Sequence, residues 1–129
     1  MASRMLLLFN HALTPKQQLD ASTVLGVTEI VPLPQDLQRI WTSVPATLTA
    51  LGDWIAPVKE WVMDCAQAGD YVLVEGDFGA TYLMVSFSLE HGLIPICSTT
   101  ERTATEERQE DGSIKVRRFR HRYFREYGV

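Results

Sequence analysis

His11 and Arg102 have the side chains best suited to chemistry on a phosphate. His11 lies in a loop just after the apolar run at residues 5–9, where a histidine can act as a general acid or as a cation facing a phosphate. A solvated loop histidine is the alternative at that position. Arg102 presents a planar guanidinium whose N–H groups can pair with two phosphate oxygens. We therefore predict a site for a compact anion, with Asn10 beside His11 in the same loop.

Residues 71–81 read as a strand, a glycine turn and the start of a helix. Four of the five residues at 71–75 are apolar, which is typical of a strand covered on both faces. Glycines in the turn allow close approach of a ligand, and the first N–H groups of a helix attract anions. The segment is neither a P-loop nor a GxGxxG motif, and an ordinary turn is the alternative. The predicted contacts are the N–H groups of Gly76, Gly79 and Ala80 and the hydroxyl of Thr81.

Ser98, Thr99 and Thr100 place three hydroxyl groups directly after a predicted strand at residues 93–97. These groups can bind phosphate or ribose oxygens, and a simple turn into a hairpin is the alternative for the two threonines. Ser98 is not predicted to be the nucleophile of a serine hydrolase, because the GxSxG context is missing.

A metal site is disfavoured by the spacing of the histidines. His11, His91 and His121 have no histidine or carboxylate partner in an HxH or HxxxH arrangement. Asp77 has two interpretations: it either caps the helix that begins at Phe78 or orients a hydroxyl or a metal. We predict no cofactor.

The charge distribution is asymmetric along the chain. The net charge is −4, yet residues 112–125 contain six basic residues and no acid. Such a pattern does not favour general binding of DNA; it favours one local site for a compact anion. A solvated edge strand protected by its charge is the alternative. Aromatic residues alternate with the arginines and can stack on bases, and His121 within this strip faces either solvent or the site.

Strands and helices alternate along the chain, which predicts an α/β domain with a mostly parallel sheet, flanking helices and a C-terminal β-hairpin. Strands are predicted at residues 5–9, 27–33, 71–75 and 93–97, with a hairpin of 103–109 and 113–121 around Asp111 and Gly112. Helices are predicted from a capping box at Thr14 and Gln17 to near residue 25, over most of 36–68 with breaks at Pro45 and Pro57, and over 78–91.

The predicted crossovers determine which loops meet. Right-handed connections place the second strand on one side of the first and the third strand on the other. Ligands in such sheets bind at the carboxyl ends of the strands beside this switch point. The loops at residues 10–11, 76–81 and 98–102 are therefore expected to converge on one site.

The length and composition predict a single domain over residues 1–129. No apolar run is long enough to span a bilayer, and the apolar stretch at the start is too short for a signal peptide. Cys65 and Cys97 form no CxxC pair and are predicted to be reduced thiols. We therefore expect a cytoplasmic protein.

Four segments resemble the small CRISPR-associated ring nucleases of the Csx group, number twenty. They are residues 6–14, 69–81, 92–102 and 119–127, which together extend over nearly the whole chain. The Thr99-Thr100-Glu101-Arg102 segment and the basic, aromatic C-terminal run are also similar to the CARF sensor domains of type III CRISPR effectors. The resemblance implies a Rossmann-like, CARF-like fold.

The resemblance also implies an activity. Such proteins bind a cyclic oligoadenylate, usually cyclic tetra-adenylate, and cut it to linear products by metal-independent attack of a ribose 2′-OH, which switches off the antiviral signal. Three alternatives remain open: a non-catalytic sensor or sponge for the same ligand, a metal-dependent phosphodiesterase that uses Asp77 and His11, and a structural subunit of a CRISPR complex whose arginine strip binds RNA. The family also implies a homodimer and no binding of long nucleic acid.

The same resemblance assigns roles to the predicted residues. His11 is the catalytic group for proton transfer or for stabilisation of the leaving group, and the second catalytic residue, Arg102, holds the scissile phosphate with the turn at Gly79 and Ala80. Phe78 either stacks on adenine or packs in the core. The substrate-binding residues implied are Asn10, Gly76, Asp77, Phe78, Gly79, Ala80, Thr81, Ser98, Thr99, Thr100, Arg117, Arg118 and His121.

Overall fold

The fold is built on one five-stranded sheet in the order β2-β1-β3-β4-β5. The computed structural model describes the backbone of residues 3–109 and 112–129, and the side chains of residues 3–101 and 120–129. Its strands are β1 (Ser3–Leu8), β2 (Val27–Pro32), β3 (Tyr71–Val74), β4 (Ile94–Gln109) and β5 (Gly112–Glu126). The helices of the described residues are α1 (Pro15–Thr23), α2 (Gln35–Thr42), α3 (Ala56–Cys65) and α4 (Phe78–Glu90).

The predicted α/β architecture is confirmed. Strand β1 pairs in parallel with β2 on one side and β3 on the other, and β4 continues the parallel sheet beside β3. Strand β5 then adds antiparallel to β4. This order is the one that right-handed crossovers predict, and it is compatible with a Rossmann-like fold.

Both faces of the sheet are covered, which explains why β1 and β3 are almost wholly apolar. One core cluster contains Leu6, Leu8, Val72 and Val74 with residues from α2, α3 and α4. The other lies on the opposite face and joins β1, β3 and β4 to Ala21 of α1. Alternate residues of each strand thus enter different cores, as the two-residue period of a strand requires.

Helix α1 starts where its local sequence predicts. The Thr14 hydroxyl accepts from the Gln17 N–H at 3.2 Å, and the Gln17 side chain accepts from the Thr14 N–H at 2.9 Å. These two bonds form a complete capping box, and Pro15 occupies the first turn, where its missing N–H costs nothing.

Two predicted boundaries are wrong. The region 36–68 contains two helices separated by the non-helical segment 43–55, and Pro57 lies in the first turn of α3 instead of breaking a helix. Strand β4 does not stop at Cys97 but continues through residues 98–102, because β5 pairs with it along that length. Of the turn predicted at 111–112, Asp111 lies outside the described residues.

Within the described residues, no helix has both the length and the apolar composition that crossing a bilayer requires.

Candidate functional site at the carboxyl edge

The carboxyl ends of β1 and β3 lie side by side and carry the loop with His11. The Glu75 N–H donates to the Leu8 carbonyl at 3.0 Å, which extends the pairing by one residue beyond β3. After β1 the chain turns outward, and Asn10 and His11 are both exposed. The His11 ring stands edge-on to the Phe9 ring with centroids 5.6 Å apart. Both loop residues line a cleft of about 310 Å³, whose far wall is formed by Pro32, Leu33 and Gln38.

Glu75 is the site residue that sequence reasoning missed. Its half-buried carboxylate accepts from the Ser98 N–H at 3.0 Å through Oε1. Burial raises the pKa of this carboxyl, while the Ser98 N–H and the positive charge of His11 act in the opposite direction. The carboxyl edge thus carries an exposed histidine, His11, near enough to influence the charge of the partly desolvated Glu75 carboxyl. The signal that could have found it is a carboxylate at the end of an apolar strand, directly before a glycine.

Trp41 fixes the backbone at this carboxylate from the opposite side. Its indole Nε1 donates to the Glu75 carbonyl at 3.0 Å. A Cβ on Gly76 would stand 2.9 Å from the same Nε1, so only glycine fits there. The packing of Trp41 thus explains why position 76 is glycine, and the contact of the Gly76 N–H with a ligand stays a prediction.

Other residues of the glycine turn also make contacts within the protein. The Asp77 carboxylate accepts from the Ala80 N–H at 3.0 Å, which confirms the capping interpretation of Asp77 and removes that N–H as a ligand donor. A Cβ on Gly79 would lie 3.0 Å from the Leu51 side chain. Thr81 Oγ1 is buried and has no hydrogen-bond partner within the described part of the chain. Of the predicted anion contacts, the Ala80 N–H is thus taken by the Asp77 cap and the Thr81 hydroxyl is buried, whereas Gly79 is exposed and its contact with a ligand stays a prediction.

Phe78 does not pack in the core, because 96% of it is exposed. Asp77 and Gly79 line a second cleft, of about 400 Å³, between helix α4 and the segment 43–55. No lining residue is shared between this cleft and the one at His11. The loops at 10–11 and 76–81 therefore meet at the same edge of the sheet but open into separate clefts.

Ser98 and His121 form a buried polar network instead of facing a ligand. Ser98 Oγ is hydrogen-bonded to Nδ1 of His121 and accepts from Gln17 Nε2 at 3.2 Å. His121 Nε2 lies 2.8 Å from Asp20 Oδ2. His121 is only 8% exposed, so its predicted place against the ligand is wrong. The same applies to the Ser98 hydroxyl, whose hydrogen bonds are made within the protein.

This network has the residue types of a Ser-His-Asp nucleophile but not the access. When the neutral ring donates its Nε2–H to Asp20, Nδ1 accepts from the Ser98 hydroxyl, as in a relay that activates serine. Ser98 is buried, however, and Gln17 already donates to its oxygen. A substrate carbonyl has no approach to that oxygen, so the network holds structure together.

Of the two threonines at the start of the β4–β5 hairpin, Thr99 forms its hydrogen bonds within the protein. Thr99 Oγ1 donates to the Tyr123 carbonyl at 3.1 Å and accepts from the Tyr123 N–H at 3.0 Å. Thr100 is exposed, and its backbone pairs with His121. The predicted contact of Thr99 with a ligand is therefore replaced by a contact within the hairpin.

The hairpin continues beyond the carboxyl edge of β3 and carries the basic strip with it. Arg102 pairs with Phe119, Thr103 with Arg118 and Ala104 with Arg117 along the backbone. The side chains of Arg102, Arg117 and Arg118 lie outside the described residues. Among the described arginines, Arg122 lies 3.7 Å from Glu101 and over the Tyr123 ring at 5.0 Å.

Across the described residues, no group of three or more His, Cys, Asp or Glu side chains is arranged to hold a metal ion.

Comparison with known proteins places this architecture in a family. Residues 3–125 match the Uncharacterized protein MJ1673 family. The chain belongs to that family. It is similar to a protein of Methanocaldococcus jannaschii described as Uncharacterized protein MJ1673, with 43% identity over 124 residues, 96% of this chain and 96% of that protein. No solved structure matches the chain.

The residues that match the MJ1673 family include the candidate site at the carboxyl ends of the strands. They span the loop with His11, the strand end with Glu75 and the network of Ser98 and His121, while Tyr127 lies just beyond them. The Tyr127 hydroxyl donates to the Val74 carbonyl at 2.6 Å, and burial first, then the charges of Cys97 and Glu75, raise the pKa of Tyr127 to about 12. Tyr127, just outside the matched residues, thus holds the C-terminus against the end of β3.

Proposed function

We propose that the protein is a ring nuclease that binds cyclic oligoadenylate, with cyclic tetra-adenylate as the expected ring, and cleaves it without a metal to linear products. The observation that carries the proposal is the presence of exposed His11 and the half-buried Glu75 carboxylate at the adjacent carboxyl ends of β1 and β3, where the charge of His11 acts on the Glu75 carboxyl. This is the edge at which Rossmann-like sheets bind nucleotides. Cleavage would switch off type III CRISPR signalling, as the resemblance to the Csx group and to CARF domains implies.

Glu75 and His11 have complementary roles in the proposed reaction. The Glu75 carboxylate takes the proton of a ribose 2′-OH, and that oxygen forms a bond to the neighbouring phosphorus. The P–O5′ bond breaks, and protonated His11 gives its proton to the departing 5′ oxygen. The products carry a 2′,3′-cyclic phosphate and a 5′-hydroxyl. A glutamate with a raised pKa is better matched to proton transfer near neutral pH than an ordinary one.

Phosphate binding falls mainly to side chains in this proposal. The Ala80 N–H is occupied by Asp77, so the turn supplies less of the anion site than its glycines suggest. The β4–β5 hairpin extends from the same edge and carries the arginines predicted for this role, Arg102, Arg117 and Arg118. Asn10 lies beside His11 in the cleft and can donate from its amide to a phosphate or ribose oxygen.

Helix α4 supports the proposed homodimer. Phe78, Tyr82, Val85 and Leu89 follow one another at spacings of four, three and four residues, which is the spacing of a seam between two helices. Phe78, Tyr82 and Leu89 are 96%, 71% and 57% exposed, and the helix carries no charge before Glu90. An apolar face of this kind is expected to be covered.

The area of this seam fits a second copy of the chain. An aromatic side chain contributes about 150–250 Å² when buried, so the exposed fractions of Phe78 and Tyr82, 96% and 71%, supply roughly 500–800 Å² over two copies. Leu89 adds to this, toward the ~1,000 Å² that a specific interface needs. We assign the partner of α4 as α4 of a second protomer.

One assay tests the proposed activity. The protein is incubated with cyclic tri-, tetra- and hexa-adenylate in EDTA, and products are separated by liquid chromatography and identified by mass. Linear products with a 2′,3′-cyclic phosphate are expected. Binding of the ring without turnover selects the sensor or sponge. Cleavage that EDTA abolishes and manganese restores contradicts the metal-independent mechanism, and failure to bind any ring rejects the proposal.

The dimer is tested separately by sedimentation velocity. Tyr82→Ser is expected to weaken self-association at least tenfold, because it removes an aromatic side chain from the middle of the seam. Leu19→Ser is the matched control, since Leu19 is 60% exposed on α1, outside the seam. A monomeric wild type, or equal dissociation constants for the two variants, would contradict the assignment of α4.

A further inference from the structure

Ser98 contacts Glu75 directly and contacts helix α1, which begins just after the His11 loop. Through its backbone N–H it donates to Glu75 Oε1 at 3.0 Å, and through its hydroxyl it accepts from Gln17 Nε2 at 3.2 Å. The residue lies in β4, between Glu75 after β3 and Gln17 on α1. One buried residue thus contacts the strand end that carries the carboxylate and the helix that follows the His11 loop.

Gln17 transmits the position of Ser98 to the loop. Its side-chain oxygen accepts from the Thr14 N–H at 2.9 Å, and its backbone N–H donates to the Thr14 hydroxyl at 3.2 Å. Thr14 is three residues after His11, so the capping box fixes the end of the short loop that presents the histidine. The Gln17 amide is buried and uses its nitrogen for Ser98 and its oxygen for Thr14.

His121 and Asp20 hold the Ser98 side chain in one rotamer. His121 contacts Ser98 Oγ through Nδ1 and Asp20 through Nε2, and its ring packs on Phe124 with centroids 4.7 Å apart. Two partners on the hydroxyl and one on the backbone N–H leave Ser98 little freedom. A buried polar network that is fully paired specifies one arrangement of its members.

We propose that Ser98 is a positioning residue that sets the separation of His11 and Glu75, with Gln17 as its link to the loop and the His121–Asp20 pair as its anchor. Ser98 does not touch the substrate and takes no part in the bond changes. The catalytic consequence rests on the ring-nuclease proposal, whereas the structural consequence for Glu75 does not. Misplacing a reacting group by about 1 Å can cost roughly a hundredfold in rate. A shift of Ser98 is therefore expected to lower kcat.

The test compares three serine substitutions in the full chain. Ser98→Ala removes the contacts with Gln17 and His121, and we expect kcat on cyclic tetra-adenylate to fall by about tenfold to a hundredfold with KM within about twofold. Ser98→Thr keeps the hydroxyl and is expected to recover most of the rate. Ser88→Ala is the matched control, because Ser88 is fully buried on α4 and its hydroxyl bonds only to the Met84 carbonyl at 2.7 Å. A wild-type kcat in folded Ser98→Ala overturns the proposal.

A measurement independent of activity separates the two proposals. The titration of the Glu75 carboxyl carbon is followed by NMR, and Ser98→Ala is expected to raise its midpoint, because the N–H that favours the ionised form is less firmly held. If the wild type cleaves no cyclic oligoadenylate, the ring-nuclease proposal fails and this midpoint alone decides the positioning role. An unchanged midpoint then overturns it.

A second variant covers the possibility that Ser98→Ala does not fold. Asp20→Asn keeps the shape of the anchor and removes its charge, at a side chain that is one-fifth exposed. A rise of the Glu75 midpoint in the same direction supports the network, and a wild-type midpoint in the folded variant overturns it.

Discussion

The amino ends and the carboxyl ends of the parallel strands each carry a carboxylate, and the two carboxylates have different partners. At the amino edge, Asp70 Oδ2 accepts from Arg4 Nη2 at 3.0 Å and from the Gln67 N–H at 2.9 Å. Arg4 also donates to the Cys65 carbonyl, so one guanidinium joins β1 to the end of α3 and to the residue before β3. This carboxylate is neutralised by a full positive charge and is 6% exposed.

At the carboxyl edge, Glu75 has one backbone N–H from Ser98 and the charge of a nearby histidine, and burial still raises its pKa. Its side chain remains half-buried beside an open loop. The comparison teaches that the carboxylate paired with arginine holds structure together, whereas the partly desolvated one near a histidine has the environment that the proposed proton transfer requires.

The largest effect is expected from His11→Ala, because positioned general acids contribute about a hundredfold or more. Cleavage of cyclic tetra-adenylate should slow by that amount under single-turnover conditions, with the dissociation constant changed far less. His91→Ala is the control, since His91 is an exposed residue at the end of α4 whose ring bonds to the Phe87 carbonyl. Full rate in His11→Ala would show that the histidine is not catalytic.

Glu75→Gln should reduce turnover and stabilise the fold at neutral pH. Burial raises the folded-state pKa of Glu75, so its stabilising contribution is present below the ordinary glutamate pKa and is lost as the pH rises through the raised value. The neutral amide avoids that loss. Thermal unfolding should give a higher Tm for the variant at pH 7 and no difference at about pH 3, where both side chains are neutral. A lower Tm at pH 7 would mean that the Glu75 carboxylate stabilises the fold, as the Asp70 carboxylate does.

Asp70→Ala should show the opposite behaviour. It leaves the Arg4 guanidinium and the Gln67 N–H without their acceptor, which costs about 1–3 kcal/mol of unfolding free energy. Urea unfolding measures this, and Asp64→Ala, at an exposed position on α3, should stay within about 0.5 kcal/mol of the wild type. The kcat of Asp70→Ala should equal that of the wild type. A large fall in kcat with the fold intact would mean that Asp70 also affects catalysis, which would contradict the proposed difference between Asp70 and Glu75.

The smallest effect is expected from Tyr127→Phe. Loss of the hydroxyl removes the donor to the Val74 carbonyl and should cost about 1 kcal/mol. Tyr123→Phe, at a residue that is 58% exposed, provides the control. If Tyr127→Phe is neutral by urea unfolding, the C-terminus does not help to hold the carboxyl edge.

Local motifs allowed much of the fold to be predicted. The capping box at Thr14 and Gln17 is contained within four residues, and the apolar run before Gly76 marks a buried strand by composition alone. The strand order followed from the handedness of the crossovers. The break predicted at Pro45 falls within the non-helical segment 43–55, but its length was not predicted, because Pro45 marks only where a helix is interrupted and not how far the interruption extends.

The candidate site was less predictable, because its decisive contacts join distant parts of the chain. Asp20 and His121 are 101 residues apart, and Glu75 and Ser98 are 23 apart. Trp41 explains Gly76 only once the fold brings them together. His11 was proposed from its loop position, whereas Glu75 became a candidate only through its burial and its partner.

The placement of Trp41 has a spectroscopic consequence. Its indole is 1% exposed and is hydrogen-bonded to the carbonyl of the residue that carries the candidate carboxylate. Trp54, which bonds to the Ile40 carbonyl, and Trp61 can be replaced by phenylalanine to leave a single fluorophore. Its emission then reports the electric field and backbone position at this edge, so that the arrival of a nucleotide can be followed in real time without a label.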